Sequence, residues 1–187
     1  MPFISAKARE DAASSGSTKD GYLNPSSIKS GQKVRFTLLA EEPFMFYELW
    51  GNDVNDPQKR KPFRFLEEPT PEDISVKLGN NFVRSLSRDG KGNEPSRIAH
   101  AVPIYNYDLE RVQVFSWTQK TITQALDNIS QLEDYADSMT ECDFYLSRDG
   151  EGTDTRYTVQ AAPKKKAMAK TVDEEWDAAQ DEGFDLS

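Results

Sequence analysis

Apolar and polar residues alternate along several stretches of the chain, in the pattern of half-buried β-strands. In KVRFTLLA, residues 33–40, Val34, Phe36 and Leu38 alternate with Arg35 and Thr37, so we expect one face of this strand to be buried. FMFYELWG, residues 44–51, predicts a second strand with many aromatic side chains. The following segment, NDVNDPQKRKPFRF, is predicted to be a polar loop.

The second half of the chain predicts two hairpins and one helix. HAVPIYNYDLERVQVFSWT forms two extended runs around Asp108–Glu110. TQKTITQALDNISQ has apolar residues at helical spacing, with Thr118 as the expected N-cap. ECDFYLSRDGEGTDTRYTVQ predicts the second hairpin, and its LSRDG sequence, which also occurs at residues 86–90, is typical of a tight turn. This order predicts a mainly β fold resembling the OB-fold, a five- to six-stranded antiparallel barrel with one helix.

The charge is distributed unevenly along the chain. Residues 1–20 predict a flexible arm, residues 21–162 the binding domain, and residues 163–187 a basic linker followed by a disordered acidic tail. All 23 Lys and Arg precede residue 171, against 25 of the 32 acids, so residues 1–170 sum to −2 and the tail adds −7. Because the body is nearly neutral, the overall charge of −9 does not exclude a basic binding face.

The residue types needed for catalysis or for metal binding are sparse. The chain has one cysteine, Cys142, and one histidine, His100, so an internal disulfide and a zinc site are excluded. No nucleophile motif or phosphate-binding loop is present, and we expect no enzymatic activity and no cofactor. No apolar stretch reaches the roughly 18–20 residues of a membrane span, which predicts a soluble, cytoplasmic protein. The oligomeric state is left open.

Aromatic residues interleaved with bases suggest a nucleic-acid interface. If the valines and Ile104 of the first hairpin face the core, the opposite face carries Tyr105, Tyr107, Arg111, Phe115 and Trp117. Aromatic stacking supplies roughly 1–3 kcal/mol per base without reading sequence. The alternative is that these aromatic residues belong to the core. The other candidate DNA-binding residues are Trp50, Lys59, Arg60, Lys61, Arg64, Lys120 and Arg156.

The acidic tail contains the large apolar residues Trp176, Phe184 and Leu186. One hypothesis is that the tail lies over the basic groove as a nucleic-acid mimic and is released to bind another protein through these side chains. The alternative is a solubilising tail.

Three segments resemble a known family: GYLNPSSIKSGQKVRFTLL, VPIYNYDLERVQVFSWTQKTITQAL and CDFYLSRDGEGTDTRYTVQ. They are similar to the single-stranded DNA-binding proteins encoded by tailed phages, notably those infecting cyanobacteria, over most of residues 21–160. The resemblance implies an OB-fold, sequence-independent binding of single-stranded DNA, and roles in phage replication, recombination and repair in the host cytoplasm. In our interpretation, the acidic tail of such a protein recruits replication proteins such as polymerase and primase-helicase.

Some phage proteins of this class carry a structural zinc, but the chain lacks the ligands for one.

Other functions remain open: a protein-interaction adaptor or DNA-mimic inhibitor, and an RNA-binding OB protein.

Overall fold

The computed structural model describes residues 21–52, 56–135 and 138–184, so the predicted flexible arm lies outside the described residues. These residues contain eight strands and three α-helices. The strands are β1 (Tyr22–Leu23), β2 (Gln32–Leu38), β3 (Phe44–Asn52), β4 (Arg60–Phe65), β5 (Arg97–Asn106), β6 (Arg111–Trp117), β7 (Cys142–Asp149) and β8 (Arg156–Pro163). The helices are α1 (Pro71–Leu78), α2 (Lys120–Ser130) and α3 (Ala169–Asp181). The chain divides into two units, one from Met45 to His100 and one comprising the residues before and after it.

The unit formed by the two ends of the chain contains a mixed sheet with the order β1-β6-β5-β2-β7-β8. β1 pairs with β6 in parallel, β2 pairs antiparallel with β5 and β7, and β7 pairs antiparallel with β8. The mainly β prediction is confirmed. The predicted OB-fold-like barrel is not confirmed, because the described residues form a mixed, unclosed sheet, and the eight strands exceed the five to six expected.

One face of this sheet forms the main core under α2. Phe36 and Leu38 of β2 are buried there, as the alternation predicts, and Ile122 and Ile129 of α2 pack against the sheet. The predicted helix is confirmed, but its N-cap is Gln119 rather than Thr118, and Gln119 makes no side-chain cap hydrogen bond.

The unit Met45–His100 is built on the antiparallel β3–β4 hairpin and α1. The predicted polar loop over residues 52–65 is partly wrong, because its second half forms β4, paired with β3 from Tyr47↔Phe65 to Asn52↔Arg60. Leu49 and Phe65 pack with Ile74 of α1 in a small core. Lys61, Phe63 and Phe65 alternate on one side of β4, and the neighbouring basic residues and Pro62 give the segment the composition of a polar loop.

Glycine allows the backbone conformation of both LSRDG turns and a close contact in β3. Gly90 and Gly150, in the two LSRDG sequences, have φ of 67° and 76°, which glycine adopts without strain. The prediction of tight turns is confirmed. Gly51 of β3 lies against Phe82, since a Cβ added at Gly51 would be 2.1 Å from Cζ of that ring.

The acidic segment is helical, which corrects the prediction of a disordered tail. β8 continues to Pro163, a short 3₁₀ turn spans Lys166–Met168, and α3 follows directly. Val172, Trp176 and Ala179 recur at helical spacing, so an acidic helix with one apolar side forms. Val172 is 2 % exposed and packs on the sheet face opposite α2. No helix of the described residues is long and apolar enough to cross a membrane.

Candidate nucleic-acid interface

The four aromatic residues that the sequence places on one exposed face of the β5–β6 hairpin are buried, and they lie on two different faces. Phe115 (0 % exposed) and Trp117 (4 %) belong to the core under α2, with ring centroids 4.6 Å apart. Tyr105 and Tyr107 are also buried, and they lie under α3 together with Val112. The prediction of one exposed aromatic face is therefore wrong.

The register of the hairpin explains this error. Asn106 donates a hydrogen bond from Nδ2 to Oε1 of Gln113 at 2.8 Å, so an even-numbered residue of β5 and an odd-numbered residue of β6 share a face. Ile104 consequently shares the main core with Phe115. Side chains alternate strictly along each strand, and the offset between the two strands places Tyr105 on the other side of the sheet.

The sheet face under α3, which we call the tyrosine face, centres on the fully buried Asp143. Its carboxylate accepts hydrogen bonds from Arg35 Nε at 2.9 Å, from the Tyr107 hydroxyl at 3.0 Å and from the backbone N–H of Lys165 at 3.1 Å. Burial and the nearby Asp143 charge raise the pKa of Tyr107 well above its ordinary value. Because Val172 covers this face, a nucleobase cannot stack on Tyr105 or Tyr107 while α3 is docked.

A second surface of aromatic and basic residues lies on one side of the β3–β4 hairpin. The register pairs Glu48 with Arg64, and alternation adds the remaining members. We call this surface the hairpin face; it consists of Phe46, Glu48, Trp50, Arg60 and Arg64.

On the hairpin face, each of two arginines covers an aromatic ring. The guanidinium carbon of Arg60 is 4.9 Å from the Trp50 ring centroid, and that of Arg64 is 5.0 Å from the centroid of Phe46. Trp50 donates its indole N–H to Oε1 of Glu48 at 2.9 Å, which fixes the ring orientation. Phe46 is buried, whereas Trp50 is partly exposed, so part of the Trp50 ring remains accessible beside Arg60.

The other two basic residues of the segment 59–64, Lys59 and Lys61, lie outside the hairpin face. Lys61 alternates to the opposite side of β4, where its Nζ lies 5.3 Å from the centroid of the Phe63 ring. Lys59 precedes the strand and is exposed. Of the four basic residues in this segment, Arg60 and Arg64 therefore lie on the hairpin face, Lys61 lies on the opposite side, and Lys59 precedes β4.

Three further predicted DNA-binding residues belong to the other unit. Arg111 begins β6, Lys120 begins α2 and Arg156 begins β8, and all three are exposed. They lie at the starts of three separate elements, so their order along the chain does not place them on one binding surface. Their roles stay predictions.

The predicted partner-binding residues are divided between the described and undescribed parts of the chain. Trp176 is half-buried on α3, and its ring meets that of Phe184 edge-on at 5.3 Å between centroids. Leu186 lies outside the described residues. Of the three predicted residues, Trp176 and Phe184 thus pack on each other.

Cys142 and His100, the two residues considered for catalysis, are buried and partly buried respectively. Burial, followed by the adjacent Asp143 charge, raises the pKa of Cys142 to about 11, so its thiol is protonated at neutral pH. Burial lowers the pKa of His100. Within residues 21–52, 56–135 and 138–184, no three His, Cys, Asp or Glu side chains are grouped to hold a metal ion.

Comparison of the chain with protein-family models, with curated proteins and with solved structures finds no match. Function is therefore inferred from the residues and their geometry.

Proposed function

We propose that the protein binds single-stranded DNA without sequence preference and without catalysis, and that the hairpin face is its principal contact surface. The observation that carries this proposal is the pairing of Arg60 with Trp50 and of Arg64 with Phe46 on one side of a hairpin. This surface replaces the buried β5–β6 aromatics as the site of contact.

The chemistry of the hairpin face suits a flexible strand of bases and phosphates. A base stacks on the exposed part of Trp50, which contributes roughly 1–3 kcal/mol for any of the four bases. Arg60 and Arg64 contact phosphates, with Lys59 and Lys61 adding to the local positive charge. Since each neutralised phosphate releases counterions, the affinity falls as salt concentration rises.

The C-terminal helix supplies the second half of the proposal. Six carboxylates lie between Asp173 and Glu182 with no base among them, and Trp176 with Phe184 forms an aromatic pair within this acidic surface. We assign it the recruitment of replication proteins such as a polymerase or primase-helicase, and electrostatic competition with DNA. The origin we propose is a phage of cyanobacteria, with an OB-like fold and action in the host cytoplasm during replication, recombination and repair.

The proposal is tested by fluorescence titration of the full chain with oligo-dT, oligo-U and a DNA duplex of equal length. We expect the tightest binding to oligo-dT, quenching of tryptophan fluorescence, and weaker binding at higher salt. A preference for duplex or for oligo-U would contradict the proposal. Failure to bind any of the three would favour a protein-interaction role.

A further inference from the structure

Glu94 is hydrogen-bonded to three arginines, of which Arg60 belongs to the hairpin face. Glu94 Oε2 accepts a hydrogen bond from Arg60 and Oε1 accepts one from Arg97. Arg84 donates from Nη2 to the backbone oxygen of Glu94 at 2.7 Å. The carboxylate therefore holds two guanidinium groups and the backbone oxygen of the same residue holds a third, which leaves this cluster with an excess of two positive charges.

Burial within the cluster differs between the carboxylate and the arginines. The side chain of Glu94 is 10 % exposed, whereas those of Arg60 and Arg97 are 52 % and 50 % exposed. The negative charge thus lies beneath two half-exposed guanidinium groups. Neutralising Glu94 takes one positive charge, so the second half-exposed arginine gives this pair of guanidinium groups a net positive charge.

The arginines keep hydrogen-bonding capacity for a ligand. A guanidinium has five N–H donors. Arg60 uses Nε for Ser85 Oγ at 2.7 Å and Nη2 for Glu94, and Arg97 uses Nη2 for Glu94. The buried Nε of Arg84 has no hydrogen-bond partner among the residues that the structure describes. The group is rich in donors held in fixed positions.

We propose that Arg60 and Arg97, held in place by Glu94, bind one backbone phosphate of the strand whose base stacks on Trp50. The inference rests on the proposed function and assigns a phosphate subsite within it. Planar guanidinium groups match phosphate oxygens with paired hydrogen bonds. Arg60 belongs to both parts of the site, since it contacts Trp50 and Glu94, so a base and its phosphate meet adjacent groups.

Glu94 is a positioning residue in this site, which distinguishes the inference from simple charge attraction. If only net charge mattered, Glu94→Gln would strengthen DNA binding because it removes a negative charge. If Glu94 holds the two arginines in place for a phosphate, Glu94→Gln weakens binding because the free side chains must be ordered when DNA binds.

The test measures the affinity of the full-length protein for oligo-dT over a range of salt concentrations. Arg97→Ala is compared with Arg88→Ala, which removes the same charge from an exposed position of the same unit. We expect Arg97→Ala to weaken binding and to reduce the slope of log affinity against log salt by no more than about 0.7, the value for one whole phosphate contact on a single strand, because Arg60 still contacts the same phosphate. Arg88→Ala should leave the slope unchanged, and Glu94→Gln should weaken binding.

Equal slopes and affinities for Arg97→Ala and Arg88→Ala would overturn the phosphate subsite, as would tighter binding by Glu94→Gln. If Trp50→Ala weakens binding in the same experiment, the proposed function survives that failure. If the unmodified chain does not bind oligo-dT, the function and the subsite both fail. Competition by oligo-glutamate as effective as that by oligo-dT of equal charge would assign the site to acidic peptides and overturn the phosphate assignment.

Discussion

The packing of α3 on the tyrosine face can be tested by shortening one buried side chain. Val172 is 2 % exposed and contacts the cluster of Tyr105 and Tyr107. Val172→Ala removes the equivalent of two buried CH₂ groups, a loss of about 1.6 kcal/mol at about 0.8 kcal/mol each, and the remaining cavity adds to this. Since about 1.4 kcal/mol corresponds to a factor of ten, we expect the undocked fraction of α3 to rise at least tenfold.

Amide hydrogen exchange of α3 measures that fraction directly. The matched control is Val76→Ala, the same substitution on α1 at a side chain that is 89 % exposed. We expect faster exchange throughout α3 in Val172→Ala and unchanged exchange in Val76→Ala. If α3 exchanges at the same rate in the two variants, the contact of Val172 does not hold the helix, and the assignment of α3 as part of the fold is refuted.

Three further predictions concern packing, titration and charge. Gly51→Ala should lower the free energy of unfolding by about 1–3 kcal/mol because its Cβ would collide with Phe82; Gly92→Ala, which meets nothing within 4 Å, is the control, and equal melting temperatures would contradict this. The raised pKa of Tyr107 means that the unfolded chain loses this proton first as the pH rises, so the free energy of unfolding falls above about pH 10. Urea titrations should show a shallower fall for Tyr107→Phe, and identical pH profiles for the two proteins would contradict the role of Tyr107. Replacing three exposed acids of α3 by Asn should tighten oligo-dT binding at low salt, with a gain that fades as salt screens the charges; unchanged affinity at low salt would exclude competition. These three acids are Asp173, Asp177 and Asp181.

Periodicity predicted the elements of the sheet but not which faces they share. The alternation of Phe36 and Leu38 identified the buried side of β2, because one strand fixes its own two faces. Whether Phe115 of β6 shares a face with Tyr105 of β5 depends on the register between the two strands. The turn determines that register, and the alternation within either strand does not contain it. The hydrogen bond between Asn106 and Gln113 supplies that register in the structure.

Two helices were missed although the sequence contains signals for them. Thr70 and Asp73 form a capping box around Pro71 at the start of α1, a spacing typical of a helix N-terminus. In α3, the helical spacing of Val172 and Trp176 was outweighed by the surrounding negative charge. Which surface covers Val172 depends on tertiary contacts, and these are not encoded in the local pattern.

The same distinction applies to the candidate site. The bases around Arg60 are evident in the sequence, as is the aromatic character of the strand containing Trp50. Their approach to 4.9 Å depends on recognising β4 as a strand paired with β3. The contribution of Glu94, thirty-four residues after Arg60, comes from a distant segment and has no local signal.

Photochemical crosslinking tests most directly the claim that the hairpin face binds single-stranded DNA. An oligo-dT strand containing 5-iododeoxyuridine is crosslinked to the full chain at low salt, and the attached peptide is identified by mass spectrometry. We predict attachment within β3 and β4, with Trp50 as the principal site, and loss of that crosslink in Trp50→Ala. Crosslinks confined to residues outside Met45–His100 would contradict the account.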